Sequence, residues 1–268
     1  MRRLLIRPGA IGDCILSFPA LEYLKADYTE LWISSAVVPL VRFVDKVRPI
    51  SSTGIDLVGV GDLAMNTALR ETLLRFDSIV SWYGANRPAF REAIAALGVP
   101  CQFHAALPPP DCSAHATDFF AGQVGAPSGL IPRIDVPARM RTDSVVIHPF
   151  SGSARKNWPL ASYAQLADKL PLKVEWTAGP EEHLPNAVHF PNLADLAVWI
   201  ASARLYIGND SGITHLAAAA ATNTLALFGP TSPESWAPRG ANVAMLRNDP
   251  LSELPLKAVL EAANRLLG

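Results

Sequence analysis

Tyr206-Ile207-Gly208-Asn209-Asp210-Ser211-Gly212-Ile213-Thr214-His215-Leu216-Ala217-Ala218-Ala219 is the stretch whose reading decides the fold of this chain. The apolar residues Ala203, Leu205, Tyr206 and Ile207 stop at Gly208-Asn209, and an alanine-rich segment follows Asp210-Ser211. The pattern is strand, tight turn, helix. The first N–H groups of such a helix have no partner within it, and its macrodipole is positive at that end. Several donors therefore converge on one point, which suits an anion, most often a phosphate. Thr214 and His215, in the first turn, can add donors.

The N-terminus repeats the arrangement. Leu4-Leu5-Ile6-Arg7 is a short apolar strand, Pro8-Gly9-Ala10-Ile11-Gly12-Asp13 a turn, and Cys14 to Leu24 is apolar at helical spacing. Gly9 and Gly12 allow the backbone to approach a ligand closely. Their spacing is not the dinucleotide-binding fingerprint, and no Gly-Lys-Ser/Thr phosphate loop occurs in the chain. Asp13 arrives at the helix start. A carboxylate there is either functional or simply a cap, a frequent role of Asp.

Working outward, the chain divides into two α/β halves. In the first, strands are expected at about residues 3–7, 30–34, 56–60, 78–82 and 101–104. Helices are expected at about 13–25, 36–46, 65–75, 88–97 and 114–125. Residues 126–142 are rich in Pro, Gly and charge without periodicity and read as the linker. The second half restarts at Ser144-Val145-Val146-Ile147-His148. Its further strands are expected at about 173–178, 187–190, 204–207 and 224–228, and its helices at about 161–170, 194–202, 212–221 and 252–267. Alternation of strand and helix implies parallel sheets. The domains are set at residues 1–135 and 136–268.

Composition fits an enzyme in a reducing compartment. Half of the 268 residues are hydrophobic, yet no apolar run reaches the ~20 residues that span a bilayer. The run after Met1-Arg2-Arg3 breaks at Arg7-Pro8, too early for a secretory core. A net charge of −1 argues against nucleic acid as a partner. Cys14, Cys101 and Cys112 form no metal spacing, which points to the cytoplasm.

Arg7-Pro8-Gly9-Ala10-Ile11-Gly12-Asp13 followed by Pro19-Ala20-Leu21 resembles the opening motif of the family 9 glycosyltransferases, the ADP-heptose:lipopolysaccharide heptosyltransferases and their relatives. His148-Pro149-Phe150-Ser151-Gly152 with Lys156-Asn157-Trp158-Pro159 resembles that family's central motif. Asn209 to Ala219 resembles its C-terminal signature, with Phe228-Gly229-Pro230-Thr231 following. The four motifs, in order, span nearly the whole chain. The resemblance implies an α/β fold of the GT-B type, two Rossmann-like domains facing across a cleft. The first would serve the acceptor and the second the nucleotide-sugar.

Transfer from a nucleotide-sugar needs a base for the acceptor hydroxyl, a grip on the nucleoside, and positive groups or a metal to meet the departing diphosphate. No Asp-x-Asp occurs, so the common metal-binding carboxylate pair is absent. Lys156, one of six lysines, stands in a turn directly after a strand and can replace a metal. Its ordinary alternative is a solvated loop lysine. Asp13 is the candidate base, with Asp210 the other carboxylate that could serve; Asp210 also reads as a cap or as an orienter touching sugar hydroxyls. In the resembled family an acidic residue after Trp176-Thr177-Ala178-Gly179-Pro180 holds the ribose, which selects Glu182, with Glu181 beside it. The full candidate set is Asp13 and Lys156 for catalysis, and Gly12, Ser151, Lys156, Thr177, Glu182, Asp210, Ser211, Gly212 and His215 for the nucleotide-sugar. No metal or cofactor is expected.

Trp82, Trp158 and Trp199 read as packing, and His104, His115, His183 and His189 as satisfied or surface histidines. The helix from Ser252 to Leu267 is amphipathic, and core packing is preferred to membrane binding. The expected activity is inverting, metal-independent transfer of a heptose or related sugar from a nucleotide-sugar, ADP-heptose first, to a lipopolysaccharide core or another glycan. Contact with the inner membrane would be peripheral at most. Two alternatives stand beside it: an epimerase or hydrolase of nucleotide-sugars with the same architecture, and a non-catalytic nucleotide-sugar-binding module. A pure binder would not need Asp13.

Overall fold

A computed structural model describes residues 1–60 and 65–268. Two compact units divide the chain: Met1–Cys112 with Thr117–Leu130, and Ser113–Ala116 with Ile131–Gly268.

The first unit carries β1 (Arg2–Arg7), α1 (Ile11–Tyr23), β2 (Tyr28–Ile33), β3 (Lys46–Pro49), α2 (Thr67–Leu73), β4 (Ser78–Ser81), α3 (Pro88–Ala95) and β5 (Cys101–Phe103), with α4 (Ala116–Gln123) after it in the chain. Its five-stranded sheet is parallel, in the order β3-β2-β1-β4-β5. The central strand β1 reads as a continuous apolar run because both faces are covered; Leu4, Leu5 and Ile6 are at most 1% exposed. Leu4, Ile6 and Trp32 pack with Ile79, Phe90 and Ile94 on one face.

Two expectations fail here. No strand occupies residues 56–60; Ile55–Leu57 is a 3₁₀ turn, and the strand beside β2 is β3. Lys46, Arg48 and Pro49 hide β3 from a search for apolar alternation. Charge and proline are tolerated there because β3 is an edge strand. The helix expected over 36–46 is a 3₁₀ stretch at Ser35–Leu40. Pro39 lies inside it and removes a helical donor.

The second unit carries β6 (Ser144–His148), α5 (Leu160–Ala167), β7 (Lys173–Trp176), α6 (Leu193–Ser202), β8 (Leu205–Asn209), α7 (Gly212–Ala219), β9 (Thr224–Phe228), α8 (Pro233–Trp236), β10 (Val243–Arg247) and α9 (Leu256–Leu267). Its sheet is also parallel, in the order β10-β9-β8-β6-β7. The strand expected at 187–190 shrinks to one bridge between Thr177 and Val188. Strand β10 was not expected: as an edge strand it is only half buried, and its residues do not alternate cleanly. The apolar face of α9 is core, with Val259, Ala262 and Ala263 buried in the cluster that holds Val145, Ile147, Leu205 and Leu225.

Both strand orders contain a reversal. In the first sheet the chain moves from β1 to β2 and β3 on one side, then to β4 and β5 on the other. In the second, β6 and β7 lie to one side and β8, β9 and β10 to the other. Ligands of such sheets bind outside the carboxyl ends of the strands at this switch point. The loop Pro8–Ala10 leaves β1 at the first reversal. The loops leaving β6 and β8 flank the second.

Candidate active site

At the second switch point, Asn209 ends β8 and is fully buried. Its Oδ1 accepts from the Trp158 backbone N–H at 3.0 Å and the Tyr163 hydroxyl at 2.9 Å. Its Nδ2 donates to Pro149 O at 2.8 Å and lies 3.4 Å from Asn157 Oδ1. One amide thus ties the loop after β6 to the end of β8. Ser151 completes the tie by donating to Asn157 Oδ1 at 2.7 Å. A buried polar side chain is retained at no cost only when its donors and acceptors are met, and here they are.

This bracing sets Lys156. It lies in the 3₁₀ turn Ala154–Lys156, and its Nζ stands 2.8 Å from Asp210 Oδ2. The lysine is 34% exposed and the aspartate 7%. The ammonium is therefore held at a fixed place while keeping a face to solvent. Ser211 caps α7, its hydroxyl accepting from the Thr214 N–H at 3.4 Å. Thr214 in turn donates its hydroxyl to Asn209 O. Lys156, Asp210, Ser211, Gly212 and His215 thus come together around the start of α7.

His215 is 6% exposed, and its Nδ1 has no hydrogen-bond partner among the described residues. Burial pulls the imidazole down to about 4 from 6.5; Asp210 opposes the shift, while His115 and Lys156 add to it. The folded pKa lies below the unfolded one, so the stabilisation is complete above pH 6.5 and is lost as pH falls toward 4. At 1.36 kcal/mol per unit the loss is about 3 kcal/mol. Urea melts of the wild type and His215→Asn between pH 7 and 4 should converge as pH falls. Parallel curves across that window would show that the histidine does not titrate this way.

Thr177 and Glu182 form a second cluster beyond β7. Thr177 is 2% exposed and donates its hydroxyl to Val188 O at 2.9 Å. Glu182 Oε2 lies 2.8 Å from His148 Nε2 and accepts from the Gly179 N–H at 2.6 Å. Desolvation is the largest influence on this carboxyl and raises its pKa. The hydrogen bonds from His148 and Gly179, with the charges of His148 and His189, outweigh it and leave the group below its ordinary value.

In the first unit Asp13 lies in the first turn of α1, whose N-cap is Ala10 and has no side-chain cap bond. Gly12 immediately precedes it in the same turn. Beneath the turn is Arg7, 1% exposed. Its guanidinium donates to Ser17 Oγ, Pro8 O and Asp13 O at 3.1, 2.6 and 3.0 Å and stacks 4.7 Å from the Phe120 ring. Gly9 sits at φ 149°, and a Cβ there would come within 3.2 Å of Arg7 Nη1. The turn is thus held from below, and its glycine leaves room for the guanidinium. Burial pushes the Cys14 thiol up to about 11, an unreactive state.

Residues 190–263 match the model of glycosyltransferase family 9 (heptosyltransferase). The family resemblance drawn from the motifs holds. The segment covers α6 through most of α9, and so includes Asp210, Ser211, Gly212 and His215. Lipopolysaccharide heptosyltransferase 1 of Pseudomonas aeruginosa is 33% identical over 35% of this chain and 31% of its own length. Lipopolysaccharide heptosyltransferase 3 of Escherichia coli is 30% identical over 42% of this chain and 39% of its own length. The chain therefore aligns with only 31% and 39% of the length of these curated relatives. Among solved structures, a family 9 glycosyltransferase from Veillonella parvula superposes with a TM-score of 0.76 at 19% identity, covering 99% of this chain and 97% of its own. The ADP-heptose lipopolysaccharide heptosyltransferase II of E. coli superposes with a TM-score of 0.76 at 18% identity, covering 100% and 98%. Fold likeness thus extends over the whole chain, both sheets included.

Three residues at or beneath these sites were not singled out from the sequence. Asn209 and His148 lay inside quoted motifs, but only packing shows that Asn209 joins two loops and that His148 meets Glu182. Arg7 is a charged residue at the end of an apolar strand. That position, at a switch point, was the available signal.

Proposed function

We propose that this chain is an inverting, metal-independent glycosyltransferase. It moves a heptose or related sugar from a nucleotide-sugar, ADP-heptose first, to a lipopolysaccharide core or another glycan. The observation that carries the reading is the Lys156–Asp210 pair at the start of α7, in a unit whose sequence matches the heptosyltransferase family. Support for the donor comes from a solved E. coli heptosyltransferase that holds ADP and superposes with a TM-score of 0.71.

In this reading residues 136–268 bind the donor and residues 1–135 serve the acceptor. The acceptor oxygen attacks the anomeric carbon as Asp13 takes its proton. One C–O bond forms while the sugar–diphosphate bond breaks on the opposite side, so configuration inverts. The diphosphate leaves with added negative charge, met by Lys156 and by the backbone N–H groups at Ser211 and Gly212. Gly12 lets the backbone near the sugar. Ser151, Thr177, Asp210 and His215 shape the donor pocket, and Glu182 holds the ribose. The reaction needs no cofactor and belongs in the cytoplasm, where nucleotide-sugars are made. Among the described residues no helix is long and apolar enough to cross a membrane, and contact with the inner membrane would be peripheral.

Transfer should persist in excess EDTA, because a lysine and a helix N-terminus replace the metal. Activity lost on chelation and restored by Mg²⁺ or Mn²⁺ would overturn metal independence. ADP-heptose at 100 times Kd should stabilise the protein by roughly 2.7 kcal/mol in a thermal shift. No shift with any nucleotide-sugar would remove the donor reading altogether.

A further inference from the structure

His148 is the last residue of β6, beside the second switch point, and is 4% exposed. Nothing in its own strand explains a buried imidazole there. Its Nε2 lies 2.8 Å from Glu182 Oε2, and its Nδ1 has no partner among the described residues. A ring nitrogen 2.8 Å from a carboxylate oxygen must carry a proton, so Nε2 donates to the carboxylate. The Gly179 N–H reaches the same oxygen at 2.6 Å. A Cβ at Gly179 would come within 3.2 Å of that oxygen, so the turn closes tightly on the carboxylate. Both donors grip Oε2, and Oε1 has no hydrogen-bond partner among the described residues. The side chain of Glu182 is 27% exposed. One oxygen is therefore fixed to the protein, and the other is left to accept from a ligand.

We propose that His148 is a positioning residue for the donor: it locks Glu182 through Oε2 so that Oε1 presents a preformed acceptor to the ribose hydroxyls. The role rests on the proposed contact between Glu182 and ribose. A preorganised carboxylate loses less rotamer freedom when the nucleotide arrives, so its contact with a hydroxyl contributes more to affinity. Without His148 the Gly179 N–H alone cannot prevent rotation about the last side-chain bond of the glutamate.

Calorimetric affinities for ADP and 2′,3′-dideoxy-ADP separate this role from ordinary packing. His148→Leu and the smaller, polar His148→Asn both remove the donor. Each should weaken ADP on the order of tenfold, the range for losing a hydrogen bond to a charged group, and leave the dideoxy nucleotide unchanged. His148→Gln, whose amide can approach Oε2, should recover most of the ADP affinity. Equal weakening of both nucleotides in His148→Asn, or unchanged binding of both, would overturn the positioning role. Glu182→Ala, which leaves no acceptor, is the control for the ribose contact. If it too fails to discriminate the two nucleotides, the ribose reading itself is wrong. If it discriminates and His148→Asn does not, only the role of His148 falls.

Discussion

Asp13→Asn is expected to lower single-turnover transfer by ~10²–10⁴-fold, the usual contribution of a general base, while donor affinity changes little. The substitution leaves the N-cap of α1, Ala10, untouched. What it does remove is a negative charge near the positive end of a helix and above the Arg7 guanidinium. The helix term is worth roughly 0.3–1 kcal/mol, too little to unfold the unit. Asn keeps the size of Asp and cannot take a proton. Donor Kd and a single-turnover rate, measured with the melting curve, decide the matter. An unaltered rate with native melting would transfer the base role to Asp210 or another group. A wild type that binds donor and transfers to no glycan would favour the binding-module alternative.

Lys156→Ala should slow transfer by about 30- to 1000-fold, equivalent to roughly 2–4 kcal/mol of transition-state stabilisation. It should weaken the intact nucleotide-sugar as well. The pairing with Asp210 complicates the readout, because the aspartate is only 7% exposed and would lose its partner. An acceptor left unpaired in that position costs about 1–3 kcal/mol of stability, at the upper end for a charged group. The double variant Lys156→Ala with Asp210→Asn removes that penalty. If Lys156 serves the diphosphate, the double variant regains melting temperature and remains slow. Recovery of the rate together with stability would reduce Lys156 to a structural partner of Asp210. A single variant within a factor of two of wild type would remove the lysine from the site.

The sequence by itself determined the parallel α/β architecture and the central strands of both sheets. It did so because a strand covered on both faces reads as a continuous apolar run. Leu4–Ile6, Ser144–His148 and Leu205–Asn209 each announce themselves this way. Edge strands escaped, since β3 and β10 are half exposed and face no such demand. A 3₁₀ stretch at Ser35–Leu40 was misread as helix because its apolar residues share a spacing that Pro39 prevents from continuing. Only the tertiary structure decided which polar residues meet. Asn209 and Trp158 are 51 positions apart, Lys156 and Asp210 54, and His148 and Glu182 34. These pairs exist because parallel strands must return to the same edge through a helix, which brings the loops after β6, β7 and β8 to one end of the sheet. Periodicity reports what each segment buries, and carries no information on which distant loop lies beside it.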